Sequence, residues 1–323
     1  MLRPPNHQDV IAIGGPTASG KSALALSLAE RVGGSVINAD SMQVYRELRV
    51  LTARPEANDA ARVPHRLYGH VPARERYSAD RYQAEACAAM AEVAAEGRVP
   101  ILVGGTGLYF RAVMEGFSPL PDISADARAA AAADLARLGP SGLYQRLAAV
   151  DPVTAARLAP ADRQRIQRAW EVWLASGKPM SAWHAEPVHD GRPAFRFTVV
   201  RMLPDRAALY DRCDKRLEAM IRQGALDEVS SLITQGLSPT LPAMKALGVA
   251  PLAAALAGQI SHAQAVATAQ QQTRNYAKRQ FTWFRNQWPP TGDRVTLHAC
   301  HDHNEQQSED SMRRLDNIIR SLR

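Results

Sequence analysis

Lysine is scarce in this chain. Of 39 basic residues among 323, five are lysine (Lys21, Lys178, Lys215, Lys245 and Lys278) and 34 are arginine. Such a skew follows the base composition of a genome, so arginine number alone says little about nucleic acid. Cysteine is scarcer still. Cys87, Cys213 and Cys300 lie far apart with no C-x-x-C pair, which excludes a disulfide framework and a Cys-rich zinc site and suits a reducing cytoplasm. No apolar run approaches the roughly 20 residues that cross a bilayer. The opening MLRPPNHQDV lacks the apolar centre of a signal peptide. The expectation is therefore a soluble, cytoplasmic protein. What is present is an excess of positive charge, +7 with a pI near 9.6, which permits a phosphate-rich partner without proving one. A mass of 35.2 kDa fits one large α/β domain with an insertion, or two domains. There is no internal repeat, and the alanine run at 129–133 is local bias.

Hydrophobic patterning gives the organisation. VIAIGG at 10–15 reads as a buried parallel strand, SALALSLAERVG as a helix packed on a sheet, and SVINAD at 35–40 as a second strand delivering Asp40. Ser78 is placed to cap a helix that stops at Gly97, and VPILVGG at 99–105 is a third strand before a further helix. This alternation predicts an α/β fold: a P-loop NTPase-like core with a parallel sheet flanked by helices, and sites at the strand carboxyl ends. From 121 to 194 only short helices separated by Pro and Gly are expected, an all-helical insertion. FRFTVVRM at 195–202 resumes the sheet, a long helix is expected over 261–287, and VTLHAC at 295–300 is a candidate last strand. The domain reading is thus 1–120 core, 121–194 insertion, and 195–323 core completion.

Gly15-Pro16-Thr17-Ala18-Ser19-Gly20-Lys21-Ser22 matches G-x-x-x-x-G-K-[ST] between a strand and a helix. Backbone N–H groups of such a loop, with the helix N-terminus, cradle phosphate; Lys21 neutralises charge and Ser22 offers a hydroxyl to Mg²⁺. Most such loops serve ATP or GTP, so a small-molecule or nucleoside kinase is one reading. Asp40, opening Asp40-Ser41-Met42-Gln43-Val44-Tyr45, points into the same crevice and could accept a proton; it could equally cap a short helix. Gly104-Gly105-Thr106-Gly107 follows the third strand and permits close approach of a ligand, or only a tight turn. Arg165 and Arg168 share a helix face in the insertion, with Ile166, Trp170 and Trp173 apolar. Lys278-Arg279-Gln280-Phe281-Thr282-Trp283-Phe284-Arg285 interleaves basic and aromatic residues. That pattern suits phosphates plus base stacking, and equally an amphipathic helix docked on the core. His298, Cys300, His301 and His303 are too crowded on a strand and tail to make a good metal site.

Taken in order, GPTASGKS, INADSMQVY, TARP, GGTGLYF, FSPLP, ADRQRIQRAWEV, MKALGV and KRQFTWFR resemble the tRNA dimethylallyltransferase family over residues 15 to 285. The resemblance implies transfer of a dimethylallyl group from its diphosphate to N6 of the adenosine 3′ of the anticodon, tRNA position 37, in tRNAs reading codons that begin with U. It implies Mg²⁺ as cofactor, no ATP turnover, and a monomer whose helical insertion holds the anticodon stem-loop. Asp40 would be the general base, Thr17 would position diphosphate or amine, and Arg212 would bind the leaving diphosphate, with Arg216 one turn away as the competing choice. Asp40 to Gln43, Thr106, Arg128, Gln164, Arg165, Ile166, Gln167, Arg168, Lys245, Ala246, Leu247, Gly248, Val249, Ala250 and Lys278 to Arg285 would touch tRNA. The family often has Arg or Gln where Val249 and Ala250 stand, which reduces contact there to backbone. The zinc finger that some relatives carry at the C-terminus is not expected. A non-catalytic RNA-binding module is the third reading, and it leaves the phosphate loop beside Asp40 unexplained.

Overall fold

A computed structural model describes residues 8–116, 118, 120–186, 195–288 and 293–297. The chain divides into two compact units, 1–115 with 192–323 and 116–191. In the first unit β1 (Gln8–Gly14), α1 (Lys21–Val32), β2 (Gly34–Asn38), α2 (Ala57–Arg62), β3 (His65–Arg66), α3 (Ala79–Ala95), β4 (Val99–Gly104) and α4 (Gly107–Met114) follow one another. In the second unit α5 (Ala125–Val150), α6 (Pro152–Ala155), α7 (Arg163–Ser176) and α8 (Met180–His184) are all helical. The chain returns to the first with β5 (Phe195–Met202), α9 (Arg206–Arg222), α10 (Ala225–Ile233), a 3₁₀ turn at Ala243–Lys245, α11 (Val249–Leu256), α12 (His262–Asn286) and β6 (Asp293–Leu297).

The six strands pair in the order β3-β2-β4-β1-β5-β6, every pair parallel. Register sets Gly14 opposite Gly104 and Arg201, so the strands that carry the sequence motifs end at one edge. Period-two geometry divides each strand between two cores. Ile11, Ile13, Val36, Ile101 and Val103 pack with Leu24, Ala25, Leu28 and Ala29 of α1. Val10, Ala12, Ile37 and Leu102 face the other way, onto Tyr82, Ala86 and Met90 of α3, Phe110 of α4, and Phe284 and Trp288. Both faces are covered, which is why these strands read as continuous apolar runs rather than alternating ones.

The structure adds a strand that patterning did not give. The two-residue β3 is too short to show a period. β6 covers residues 295–297 of the expected 295–300 strand, and residues 298–300 lie outside the described residues. His298, Cys300, His301 and His303 lie outside the described residues. Ser78 caps α3 as expected, accepting from Arg81 N at 3.0 Å, and Ser261 with Gln264 forms a capping box at the start of α12. In the second unit, two expected helices join into α5 across a break at Gly139, φ 68°, with Pro140 following. Its small core is Ala131, Leu135, Leu143 and Leu147 against Ile166, Ala169 and Trp170. No helix among the described residues is long and apolar enough to cross a membrane.

Candidate active site

The phosphate loop wraps between β1 and α1 with two left-handed residues, Ala18 (φ 61°) and Gly20 (φ 90°). Gly20 caps α1 with no side-chain bond, so the first N–H groups of α1 have no capping oxygen and face the loop hollow. Lys21 Nζ donates to Pro16 O at 2.6 Å. Its burial, reinforced by the nearby Arg216 guanidinium and opposed by Asp40, lowers its pKa to about 7. Thr17 is held from two sides: its backbone N donates to Gln280 Oε1 at 2.8 Å, and its hydroxyl accepts from Arg216 Nη2. Ser22 is exposed, and with Ala18 to Ala23, Ala53, Arg212, Lys215 and Arg216 it lines a groove of about 410 Å³.

Arg212 and Arg216, the two arginines left open by the sequence, stand one turn apart on α9 and both reach this groove. Arg216 is spent on Thr17, whereas Arg212 Nη1 is buried with no hydrogen-bond partner.

Asp40 lies two residues beyond β2, not on the strand. Asn38 places it: Asn38 Oδ1 accepts from Asp40 N at 2.8 Å and Asn38 Nδ2 donates to Asp40 O at 2.9 Å. Asp40 Oδ1 then accepts from Met42 N at 2.9 Å, an Asx turn, so the carboxylate is a local cap as well as a wall of the site. Ser41 N donates to Thr106 Oγ1 at 3.0 Å, joining the loop after β2 to the loop after β4.

A cavity of about 270 Å³ opens beside the loop. Thr17, Asp40, Arg216, Tyr276 and Arg279 supply its polar wall; Met42, Leu51, Leu217, Met220 and Leu247 supply an apolar one. Sequence reasoning missed Leu51, Cys213, Leu217, Met220 and Tyr276. The spacing 213, 217, 220 on an amphipathic helix was the available signal for the three on α9. It also missed Glu228, whose carboxylate accepts from Arg49 N, Val50 N and Leu51 N at 2.7, 2.7 and 2.9 Å and so holds the loop that carries Leu51.

The residues assigned to RNA by motif divide by burial. Lys245, Ala250, Lys278, Arg279, Thr282 and Arg285 are exposed. Ala246, Gly248, Val249, Gln280 and Phe284 are buried, leaving them no side chain to offer outward. Gln43 is occupied too, its Nε2 donating to Thr52 O at 2.8 Å and Ala53 O at 3.0 Å. Trp283 packs so tightly on the start of α4 that a Cβ at Gly107 would collide with its ring, and Phe281 carries the Arg206 guanidinium 4.9 Å above it. Interleaved aromatics here dock a helix. In the second unit Arg128, Gln164, Arg165 and Arg168 are exposed, Gln167 is half-buried and bonded to Glu171, and Ile166 is wholly buried.

Comparison with known proteins places this architecture. The family model described as IPP transferase matches residues 43–287. The tRNA dimethylallyltransferase of Rhodopseudomonas palustris is 53% identical over 279 residues, 86% of this chain and 87% of that one. That of Granulibacter bethesdensis is 51% identical over 96% of this chain and 97% of its own. Among solved structures, the full-length tRNA isopentenylpyrophosphate transferase of Bacillus halodurans superposes with a TM-score of 0.66 at 32% identity, covering 98% and 97% of the two chains. A eukaryotic dimethylallyltransferase acting on tRNA gives 0.74 at 27% identity, over 95% of this chain and 80% of its own. These similarities favour prenyl transfer over the kinase alternative. The chain belongs to the IPP transferase family, alongside the tRNA dimethylallyltransferases.

Proposed function

We propose that this enzyme moves a dimethylallyl group from dimethylallyl diphosphate to N6 of the adenosine at tRNA position 37, in tRNAs that read codons beginning with U. One observation carries the reading. Arg216 stands where a cationic groove under the phosphate loop meets a cavity with an apolar wall, and Asp40 forms part of that cavity. A diphosphate head and a five-carbon tail need that division of polarity.

The chemistry follows from charge. The C1–O bond of the donor breaks and its electron pair leaves on diphosphate, whose developing charge the loop N–H groups, Lys21 and the free edge of Arg212 stabilise. The allylic fragment bears positive charge, and the N6 lone pair forms the new N–C1 bond. Asp40 takes the N6 proton as general base. Thr17, fixed by Arg216, orients the departing oxygen. The adenine must leave the anticodon-loop stack to reach the cavity. The exposed Lys245, Lys278, Arg279 and Arg285, with Arg128, Gln164, Arg165 and Arg168 of the helical unit, supply backbone contacts to the RNA.

The donors present suit Mg²⁺ carried by the diphosphate. Among the described residues there is no group of three His, Cys, Asp or Glu side chains able to hold a metal, while the Ser22 hydroxyl opens into the groove. Mg²⁺ held there would neutralise the leaving group further. The working unit in this proposal is a monomer, and its setting is cytoplasmic.

The test is direct. Purified protein with Mg²⁺, dimethylallyl diphosphate and unmodified tRNA yields, after digestion and mass spectrometry, one adenosine enlarged by a single five-carbon unit in the anticodon loop. Asp40→Ala lowers the transfer rate by roughly 10²–10⁴-fold with tRNA affinity intact; undiminished turnover removes Asp40 as the base. Phosphate release from ATP with no prenyl transfer would restore the kinase reading.

A further inference from the structure

Gln280 falls in the stretch of α12 that motif reasoning gave to the RNA, yet it is 5% exposed. It belongs to the buried stripe Thr273, Ala277, Gln280 and Phe284, the one amide on that face. Oε1 accepts from Thr17 N at 2.8 Å and Nε2 donates to Gly105 O at 2.8 Å. One end therefore holds the phosphate loop and the other the loop after β4. The fit is close, since a Cβ on Gly105 would collide with Nε2. Tyr276, one turn earlier, lines the same cavity as Thr17 and Asp40. Thr106 takes the Ser41 N–H, and Thr17 takes the Arg216 guanidinium. A single amide thus ties together the two strand-end loops that carry Thr17 and Thr106, and the Ser41–Thr106 bond joins the Asp40 loop to them.

We infer that Gln280 is a positioning residue for the transfer reaction, fixing Thr17 and its Arg216 partner relative to Asp40, and makes no contact with the RNA. The inference rests on the prenyl-transfer reading above. An amide is required because Thr17 N is a donor and Gly105 O an acceptor; only a group carrying both functions satisfies them. A carboxylate has acceptors alone and would face Gly105 O with a repelled charge. A protonated carboxyl restores both bonds, its O–H to Gly105 O and its carbonyl to Thr17 N.

Gln280→Glu therefore becomes an enzyme that works when acidified. The charged and titratable groups around position 280 are Asp40, Lys21, Arg216, Tyr276 and Arg279. Asp40 stands by the amide-nitrogen end, its Oδ2 3.5 Å from where a Gly105 Cβ would lie. Burial and Asp40 together raise the carboxyl pKa of the new side chain.

Single-turnover transfer with saturating tRNA and donor is measured for wild type, Gln280→Ala and Gln280→Glu, with tRNA affinity measured separately by filter binding. Gln280→Ala, which orphans two buried groups, lowers the rate about 10–100-fold and leaves tRNA affinity within about twofold. Gln280→Glu is similarly slow near pH 8, and its rate relative to wild type rises at least about fivefold by pH 6. A Gln280→Ala protein with wild-type turnover and weakened tRNA binding would make Gln280 an RNA contact. A pH-independent ratio for Gln280→Glu would equally overturn the positioning role. Failure of the wild-type protein to prenylate tRNA would sink the proposed function instead.

Discussion

Two helices carry the sequence's basic and aromatic patterns, and they use them differently. On α12 the aromatics turn inward: Phe284 is fully buried against Phe110 and Trp288, and Trp283 covers the start of α4. The same inward face sends Gln280 into the catalytic crevice. On α7 the inward residues Ile166 and Trp170 belong to the helical unit's core, where Trp170 Nε1 donates to Asp134 at 3.0 Å. Its outward face presents Gln164, Arg165 and Arg168 to solvent. Aromatic interleaving therefore reports where a helix docks. The exposed cations report where a polyanion can sit, and the two signals coincide in sequence because a docked helix has both faces.

The largest effect that tests this division is on stability. Phe284→Ala removes a fully buried ring from the core that supports β1 and α4. It is expected to cost about 3–5 kcal/mol, read as a lowered denaturant midpoint with an unchanged slope. If Phe284 stacked on a base instead, the substitution would leave stability untouched and weaken tRNA binding.

Next comes a pH effect confined to the crevice. With its pKa lowered to about 7 by burial, Lys21 is half charged in the free enzyme near neutrality. A bound diphosphate favours the ammonium and raises that pKa again. Above pH 7 donor binding must then take up a proton, and affinity falls as pH rises, by at most about tenfold per unit. Calorimetry in two buffers of different ionisation heat measures the uptake directly. Lys21→Met abolishes it, and a wild-type protein with no uptake near pH 8 would contradict the lowered value.

Much of the crevice was legible in the chain because its pieces are contiguous. The phosphate loop, the Asp40 turn and the glycine cluster after β4 each sit at a strand end, and a parallel sheet brings strand ends together by construction. What escaped depends on pairs remote in sequence. Gln280 meets Thr17 across 263 positions, and Glu228 meets Val50 across 178. Neither has a local pattern beyond a polar residue on or beside an apolar stripe. The bond from Arg216 to the Thr17 hydroxyl, which distinguishes Arg216 from Arg212, is likewise one that no spacing rule could supply. Asp40 was placed on the strand by patterning but lies two residues past it, because Asn38 brackets its backbone on both sides.

The smallest effect belongs to the outward face of α7. Arg165 has a side chain 74% exposed and pairs loosely with Asp162 at 3.6 Å; Arg168 sits 3.3 Å from Glu171. Neither pair contributes much to folding, so replacing either arginine by alanine shifts stability by no more than about 0.5 kcal/mol. Each loss should weaken tRNA binding only a few-fold at moderate salt, uniformly across tRNA species, and reduce the slope of log affinity against log salt by about one. Turnover at saturating tRNA should not change, since neither residue belongs to the unit that holds Asp40. Ile166→Ala is the internal control, because it strips the helical unit's core and should lower stability before it touches salt dependence. A full salt slope in Arg165→Ala and Arg168→Ala alike would leave the exposed cations of α12 as the principal RNA contacts. The contrast between the helices would then concern only how each is anchored.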